Sequence, residues 1–384
     1  VYRAMQSSRQ LVLQAPTGVG KTMGVLYPAI KGLPTGPLEK LFFLSAKTSG
    51  QALAAAAVAD MREQGLQLRD ITLTAKNKIC FTPGAPCDAE HCQFAAGYYD
   101  KLGKVMEEVL LEDQALTRAV IEAKARAHQV CPFELELDLS LVADIVICDY
   151  NYVFDPAVYL RRYFDGVDQG YGLLIDEAHN LVDRGREMFS AEIEKNAYLE
   201  LRRQLPAELP LMARSLAAVN AQFLTLLKMD KPGFVQAGYR IIPELPQRLI
   251  QALRKFTVAA EDWLQQNQAA EFNEILLALY FDSLRFLRIA ESFDHHYNCL
   301  MIARQQGVVM KLFNINPGPG LAEGFRRVNT AVAFSATLMP QTYFQTLMGI
   351  EADANWFQIE SPFDSKNLGV FSTSYISTTY RDRG

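Results

Sequence analysis

The chain has 384 residues, 49% of them hydrophobic and 21% charged, enough to bury at least one large core and to carry two or three substructures. Its apolar runs, such as residues 41–44 and 145–148, are strand-sized, far short of the roughly 18 residues of a membrane span, and the first ten residues lack the features of a secretory signal. These features predict a cytoplasmic protein without membrane spans. A net charge of -5 argues against a uniformly basic nucleic-acid coat but leaves room for a local basic groove.

In chain order, residues 10–15 read as a short apolar strand, followed by a Gly-rich turn and a helix over 21–30. Residues 41–45 form a second buried strand and the Ala-rich residues 49–61 a helix. After the first strand and opening the first of these helices, Ala15-Pro16-Thr17-Gly18-Val19-Gly20-Lys21-Thr22 sits where a Walker A loop belongs, departing from the usual pattern only in Ala15 at the first Gly position. Its backbone amides and helix N-terminus would cradle phosphates, Lys21 would neutralise the β and γ oxygens, and the Thr22 hydroxyl would ligate Mg2+.

From residue 76 to 132 the pattern changes, as expected of an inserted subdomain. Six cysteines without a secretion signal make metal or redox chemistry a better expectation than a disulfide framework. Cys80, Cys87, Cys92 and Cys131 follow the spacing C-x6-C-x4-C-x38-C, which fits the two close knuckles of a zinc site poorly, whereas four thiolates suit a 4Fe-4S cluster. His91 and His128 lie nearby and keep zinc as an alternative. Lys76, Lys78, Lys101, Lys104, Arg118, Lys124 and Arg126 form a local group of positive charges in the same stretch.

Strand signals return at 144–148 and 172–175, nearly continuous in apolar residues as in a parallel sheet covered on both faces. The second strand runs into Asp176-Glu177-Ala178-His179, adjacent carboxylates at a strand end, as in Walker B. Asp176 would hold Mg2+ and Glu177 would position and polarise the attacking water. Residues 189–325 carry long amphipathic patterns and predict a mostly helical second insertion, in which His295, His296 and Cys299 read as structural or surface groups. Residues 331–334 give one more buried strand, leading into Ser335-Ala336-Thr337.

Together the Walker elements imply nucleoside triphosphate hydrolysis. Asp-Glu-Ala-His is the DEAH form of motif II in superfamily 2 helicases, and residues 334–338 resemble their motif III, in which Ser335 and Thr337 would hydrogen-bond towards His179 and couple ATP state to nucleic-acid grip. A four-cysteine insertion ahead of a DEAH box, with Cys131-Pro132-Phe133 and the segment 143–152 before it, resembles the XPD/DinG family of iron-sulfur DNA helicases.

The resemblance implies an α/β, RecA-like P-loop fold with a parallel sheet, an iron-sulfur insertion and a helical Arch insertion. Its parts would be motor domain 1 in three pieces (1–75, 133–188, 326–360), the cluster domain (76–132), the Arch (189–325) and the start of a second motor domain (361–384). It implies ATP, Mg2+ and a 4Fe-4S cluster as cofactors, a single or forked DNA strand as partner, 5′ to 3′ movement, a role in DNA repair and a monomer. Lys47, Thr48, Tyr150, Asn151 and Tyr152 would face the DNA. No second motor domain is seen, so the chain reads as a fragment of low ATPase activity. The rival readings are an iron-sulfur redox or regulatory nucleotide switch and a DEAH-type RNA remodelling ATPase.

Overall fold

The computed structural model describes residues 1–112, 114–165, 170–228, 238–266, 272–305, 307–364, 366 and 369–372. Eight strands make one sheet: β1 (Gln10–Gln14), β2 (Lys40–Leu44), β3 (Asp70–Thr72), β4 (Ala115–Leu116), β5 (Ile145–Cys148), β6 (Tyr171–Ile175), and two that follow a second module, β11 (Thr330–Ser335) and β12 (Asn355–Gln358). Their spatial order is β12-β1-β11-β6-β2-β5-β3-β4, and every pairing is parallel.

Helices cover both faces, which explains why β2, β5 and β6 are buried at every position. One face carries the helices Lys21–Gly32 and Thr48–Glu63 over Leu41, Phe43 and Leu174; the other packs Phe42, Leu173 and Ile175 against Tyr163, Phe164 and the helix Asn180–Met188. This is the α/β architecture the alternating pattern predicts.

Register decides what meets at the carboxyl ends of the strands. Gln14 pairs with Ser335, and Ala333 pairs with Ile175, so the end of β11 lies between the loop after β1 and the loop after β6. The charged stretch 98–128 is two helices, Tyr98–Glu112 and Arg118–His128, interrupted by β4, which extends the sheet edge beside β3.

The second module is mostly helical among the described residues, as expected, but it also contains a sheet that the sequence reading did not include. Its helices Lys195–Gln204, Pro210–Lys228, Gln247–Gln266 and Asn273–Glu291 share a core with an antiparallel sheet of β7 (Ala191–Glu194), β8 (Tyr239–Ile242), β9 (Tyr297–Arg304) and β10 (Gly307–Asn314), ordered β7-β10-β9-β8. Its sheet joins segments more than a hundred residues apart, because β7 pairs with β10 through Ile193 and Met310. Such a pairing leaves little local signal. Among the described residues no helix is long and apolar enough to cross a membrane.

Candidate functional site

The candidate nucleotide site grows from the loop after β1. Gly18 and Gly20 have φ of 87° and 76°, a left-handed backbone that favours glycine, and Gly20 caps the helix Lys21–Gly32. Ala15 is not in that region; it is buried, and its amide donates to the Ser335 carbonyl at 2.9 Å, so the first loop position tolerates a side chain. Pro16, Thr17 and Val19 complete the turn. Lys21 Nζ folds back on the Pro16 carbonyl at 3.3 Å, and Thr22 is half-buried beside it. A methyl group at Gly18 would stand 3.3 Å from the ring of Phe363, so that ring lies over the loop.

Asp176 is 8% exposed at the end of β6. Burial, reinforced by the charge of Glu177 and opposed by Lys21, pushes its carboxyl up to about 6. A cation placed there would reverse that, drawing the proton off and restoring the carboxylate as a ligand. Glu177 has φ 46°, a left-handed conformation unusual for a residue with a side chain, and such strain persists only where neighbours over-determine it. Here the Ala178 amide donates to the Phe334 carbonyl at 3.1 Å and the Asn180 amide to the Glu177 carbonyl at 2.9 Å.

The turn directs Glu177 to β11. Ser335 Oγ donates to Glu177 Oε2 at 3.1 Å and lies 2.6 Å from His179 Nδ1. With the hydroxyl proton directed to the Glu177 carboxylate, the matching His179 tautomer is the one that donates through Nδ1. A chain His179 to Ser335 to Glu177 therefore joins motif III to the DEAH turn. Thr337 enters it through its backbone amide, 3.4 Å from Ser335 Oγ, while its side chain is exposed; this corrects the expectation of a hydroxyl contact to His179.

The four cysteines converge. Cys80, after the short helix Lys76–Ile79, Cys87, Cys92 and Cys131, which caps the helix Pro132–Leu139, line one cavity of 270 Å³. Thr82 Oγ1 lies 3.2 Å from Cys92 Sγ. Burial alone would raise the Cys92 thiol, but the Thr82 hydroxyl and backbone amides outweigh it and lower it. The Lys76 ammonium is held above its usual range by a hydrogen bond to Cys87 and the nearby Cys80 and Cys131.

The two candidate histidines stand apart: His91 Nδ1 is 2.8 Å from Asp88, and His128 Nε2 is 2.6 Å from Glu108. Tetrahedral zinc, with bonds of about 2.3 Å, holds its sulfurs about 3.8 Å apart. Among the described residues no three of these sulfurs lie within 4.8 Å of one another, and the one group of potential ligands that does is Asp294, His295 and His296 on the second module.

A groove of 1130 Å³ runs along the carboxyl ends of β2, β3 and β5. Thr48, Asn151 and Tyr152 line it; Lys47 is exposed but not in its wall. Tyr150 corrects the sequence reading: it is 0% exposed, so it cannot stack on a strand in the groove. The positive group also divides. Lys76, Lys78 and Arg118 line the groove, Arg118 also pairing with Glu122 at 2.6 Å, whereas Lys124 lies outside it and is neutralised by Glu108 and Glu112 at 2.5 Å each, and Arg126 stacks 3.8 Å from the centre of the Phe81 ring.

The opposite wall, which sequence reasoning missed, is Tyr159, Arg161 and Arg162. Its signal was present as basic residues beside an aromatic one, but only the return of the chain, with the Leu160 amide donating to the Tyr152 carbonyl at 2.8 Å, brings it to the groove. Lys76 and Phe133 line both groove and cysteine cavity, so the two adjoin.

Residues 61–198 match the DEAD_2 family, a span that holds the four cysteines, the loop after β5 and the DEAH turn. The chain is similar to XPD helicases. It is 22% identical over 271 residues to the general transcription and DNA repair factor IIH helicase subunit XPD of Dictyostelium discoideum, covering 62% of this chain and 33% of that protein. It is 29% identical over 113 residues to the Fanconi anemia group J protein homolog of Gallus gallus, covering 28% of this chain and 9% of that protein. The chain thus spans a third or less of these relatives' own length. A solved truncated XPD shares the fold, with a TM-score of 0.60 and 18% identity, over 94% of this chain and 98% of that one.

Proposed function

We propose that this XPD-like chain is the ATP-binding motor part of a DNA helicase that moves along a single strand, entering from single-stranded or forked DNA, in the 5′ to 3′ direction. The observation that carries the reading is the His179–Ser335–Glu177 hydrogen-bonded chain, set between the phosphate loop and a groove with basic and aromatic walls. In this reading Lys21 and the loop amides hold the triphosphate, Thr22 and Asp176 hold Mg2+, and Glu177 orients the attacking water through a carboxylate whose position Ser335 fixes. Thr48, Asn151, Tyr152 and Tyr159 would line the strand's path and Lys76, Lys78, Arg118 and Arg161 would meet its phosphates, the pattern by which single strands are held without sequence preference.

The cysteine cavity fits a 4Fe-4S cluster held by Cys80, Cys87, Cys92 and Cys131: four thiols line it, with hydroxyl and ammonium donors from Thr82 and Lys76. Such a cluster would cross-link the start and end of the 76–132 segment beside the groove, and no reaction step needs it. On this reading residues 76–132 are a cluster domain and 189–325 an Arch inserted into one motor domain. Nothing in the site favours a redox switch or an RNA remodelling ATPase.

The test has two parts. Fluorescence anisotropy with labelled oligothymidylate and the matching RNA, with and without Mg-ATP, is expected to show strand binding and a preference for DNA. RNA preference or no binding would overturn the reading. Iron and acid-labile sulfide on anaerobically purified protein are expected at about four each per chain and to fall in Cys92→Ser; stoichiometric zinc would refute the cluster while leaving the motor.

A further inference from the structure

The loop after β5 faces two sites at once. Asp149, Asn151 and Tyr152 line the groove, while Tyr150, between them, points inward and is fully buried. Its hydroxyl contacts the carbonyl oxygen of Asp176 in a short hydrogen bond and that of Glu177 at 3.1 Å. Those two carbonyls belong to the DEAH turn itself, at the residue whose φ is 46°. Burial, reinforced by the carboxylates of Asp176 and Glu177, pushes the phenol far above its ordinary range, so it stays a proton donor under all working conditions.

A second link runs beside it. Arg184, on the helix that follows the turn, donates through Nη2 to Asp149 Oδ1 at 3.0 Å and to Asn151 Oδ1 at 2.9 Å. The two side chains it grips are groove residues, and the helix carrying it begins at Asn180, directly after His179. The phenol thus ties the loop's backbone to the turn, and the guanidinium ties its polar side chains to the helix. Neither Tyr150 nor Arg184 lines the groove or touches the phosphate loop.

We propose that Tyr150 and Arg184 are positioning residues that couple the strand in the groove to the nucleotide site, by transmitting displacement of the 149–152 loop to the backbone of Glu177. The inference rests on the helicase reading, since it needs both ligands. When a strand draws on Asn151 or Asp149, the phenol and guanidinium pull on the turn, whose left-handed conformation at Glu177 the phenol's contacts help to hold. Motion of Glu177 as nucleotide binds is returned to the groove by the same contacts, and linkage requires the two effects to be equal in size.

The experiment measures both affinities on the full chain by anisotropy. Labelled oligothymidylate is titrated with and without the non-hydrolysable Mg-AMPPNP, and a fluorescent nucleotide is titrated with and without oligothymidylate. Wild type is expected to show the same coupling factor in both directions, about fivefold or more. Tyr150→Phe, which keeps the ring and removes only the hydroxyl, is expected to bind each ligand alone as wild type does while the factor falls towards one. Arg184→Gln provides the second, partly exposed position should the buried substitution prevent folding. Unchanged coupling in either folded variant overturns the proposal, as does wild-type protein that binds both ligands independently. Wild-type protein that binds neither ligand overturns the helicase reading instead.

Discussion

Glu136 gives a stability prediction whose sign and size follow from its place beneath the groove. It lies in the helix Pro132–Leu139, fully buried, and both its oxygens accept from the Thr74 amide, at 3.1 and 3.0 Å, where the chain leaves β3 to form the groove wall. Burial pushes its carboxyl up to about 9; the Thr74 amide and the charge of Arg118 only partly oppose that. Between the ordinary 4.5 and about 9 the folded protein therefore holds a proton that the unfolded chain has released.

The folded state binds more protons in that window, so stability falls as pH rises and levels off above about 9. At about 1.4 kcal/mol per unit, the loss from pH 5 to pH 8 is up to about 4 kcal/mol. Glu136→Gln removes the titration and keeps an acceptor for Thr74, but adds a buried amide N–H₂ that costs about 1–3 kcal/mol without a partner. Urea unfolding at intervals across this range should show the variant equal or weaker at pH 5 and stronger at pH 8, with crossing stability curves. A constant difference between the two proteins at every pH would refute the reasoning.

Three further outcomes follow from other contacts. A methyl group at Gly318 would overlap the Thr346 carbonyl oxygen, which is backbone and cannot rotate away, so Gly318→Ala should cost about 1–3 kcal/mol in urea unfolding; an unchanged midpoint would show that the two helices separate freely. Lys78→Ala and Arg118→Ala together should weaken oligothymidylate binding and flatten its dependence on log salt by about 0.7 per lost phosphate contact, and an unchanged slope would place the strand elsewhere. Lys21→Ala should abolish Mg-ATP binding, read by fluorescent-nucleotide titration, while strand binding in the absence of nucleotide persists.

Much of this protein's chemistry is legible in its sequence because the groups concerned are set by contiguous chain. A strand, a glycine turn and a helix in that order place Lys21 and Thr22 at a candidate phosphate site, and an apolar strand ending in Asp176 and Glu177 places carboxylates at the carboxyl end of the sheet. Family resemblance and cysteine spacing likewise singled out Cys80, Cys87, Cys92 and Cys131 before the fold brought them to one cavity.

Tertiary structure decided the rest. Ser335 meets Glu177 and His179 only because β11 inserts between β1 and β6 after a whole second module has intervened. Tyr150 turns inward while its neighbours face the groove, and Lys124 is neutralised by a helix that sequence alone leaves continuous with its own. The sheet of the second module and the Tyr159–Arg162 wall depend on segments that meet across long stretches of chain. Local propensity and spacing act over a turn or a strand, whereas burial, pairing and charge compensation are set by which distant segments share a core.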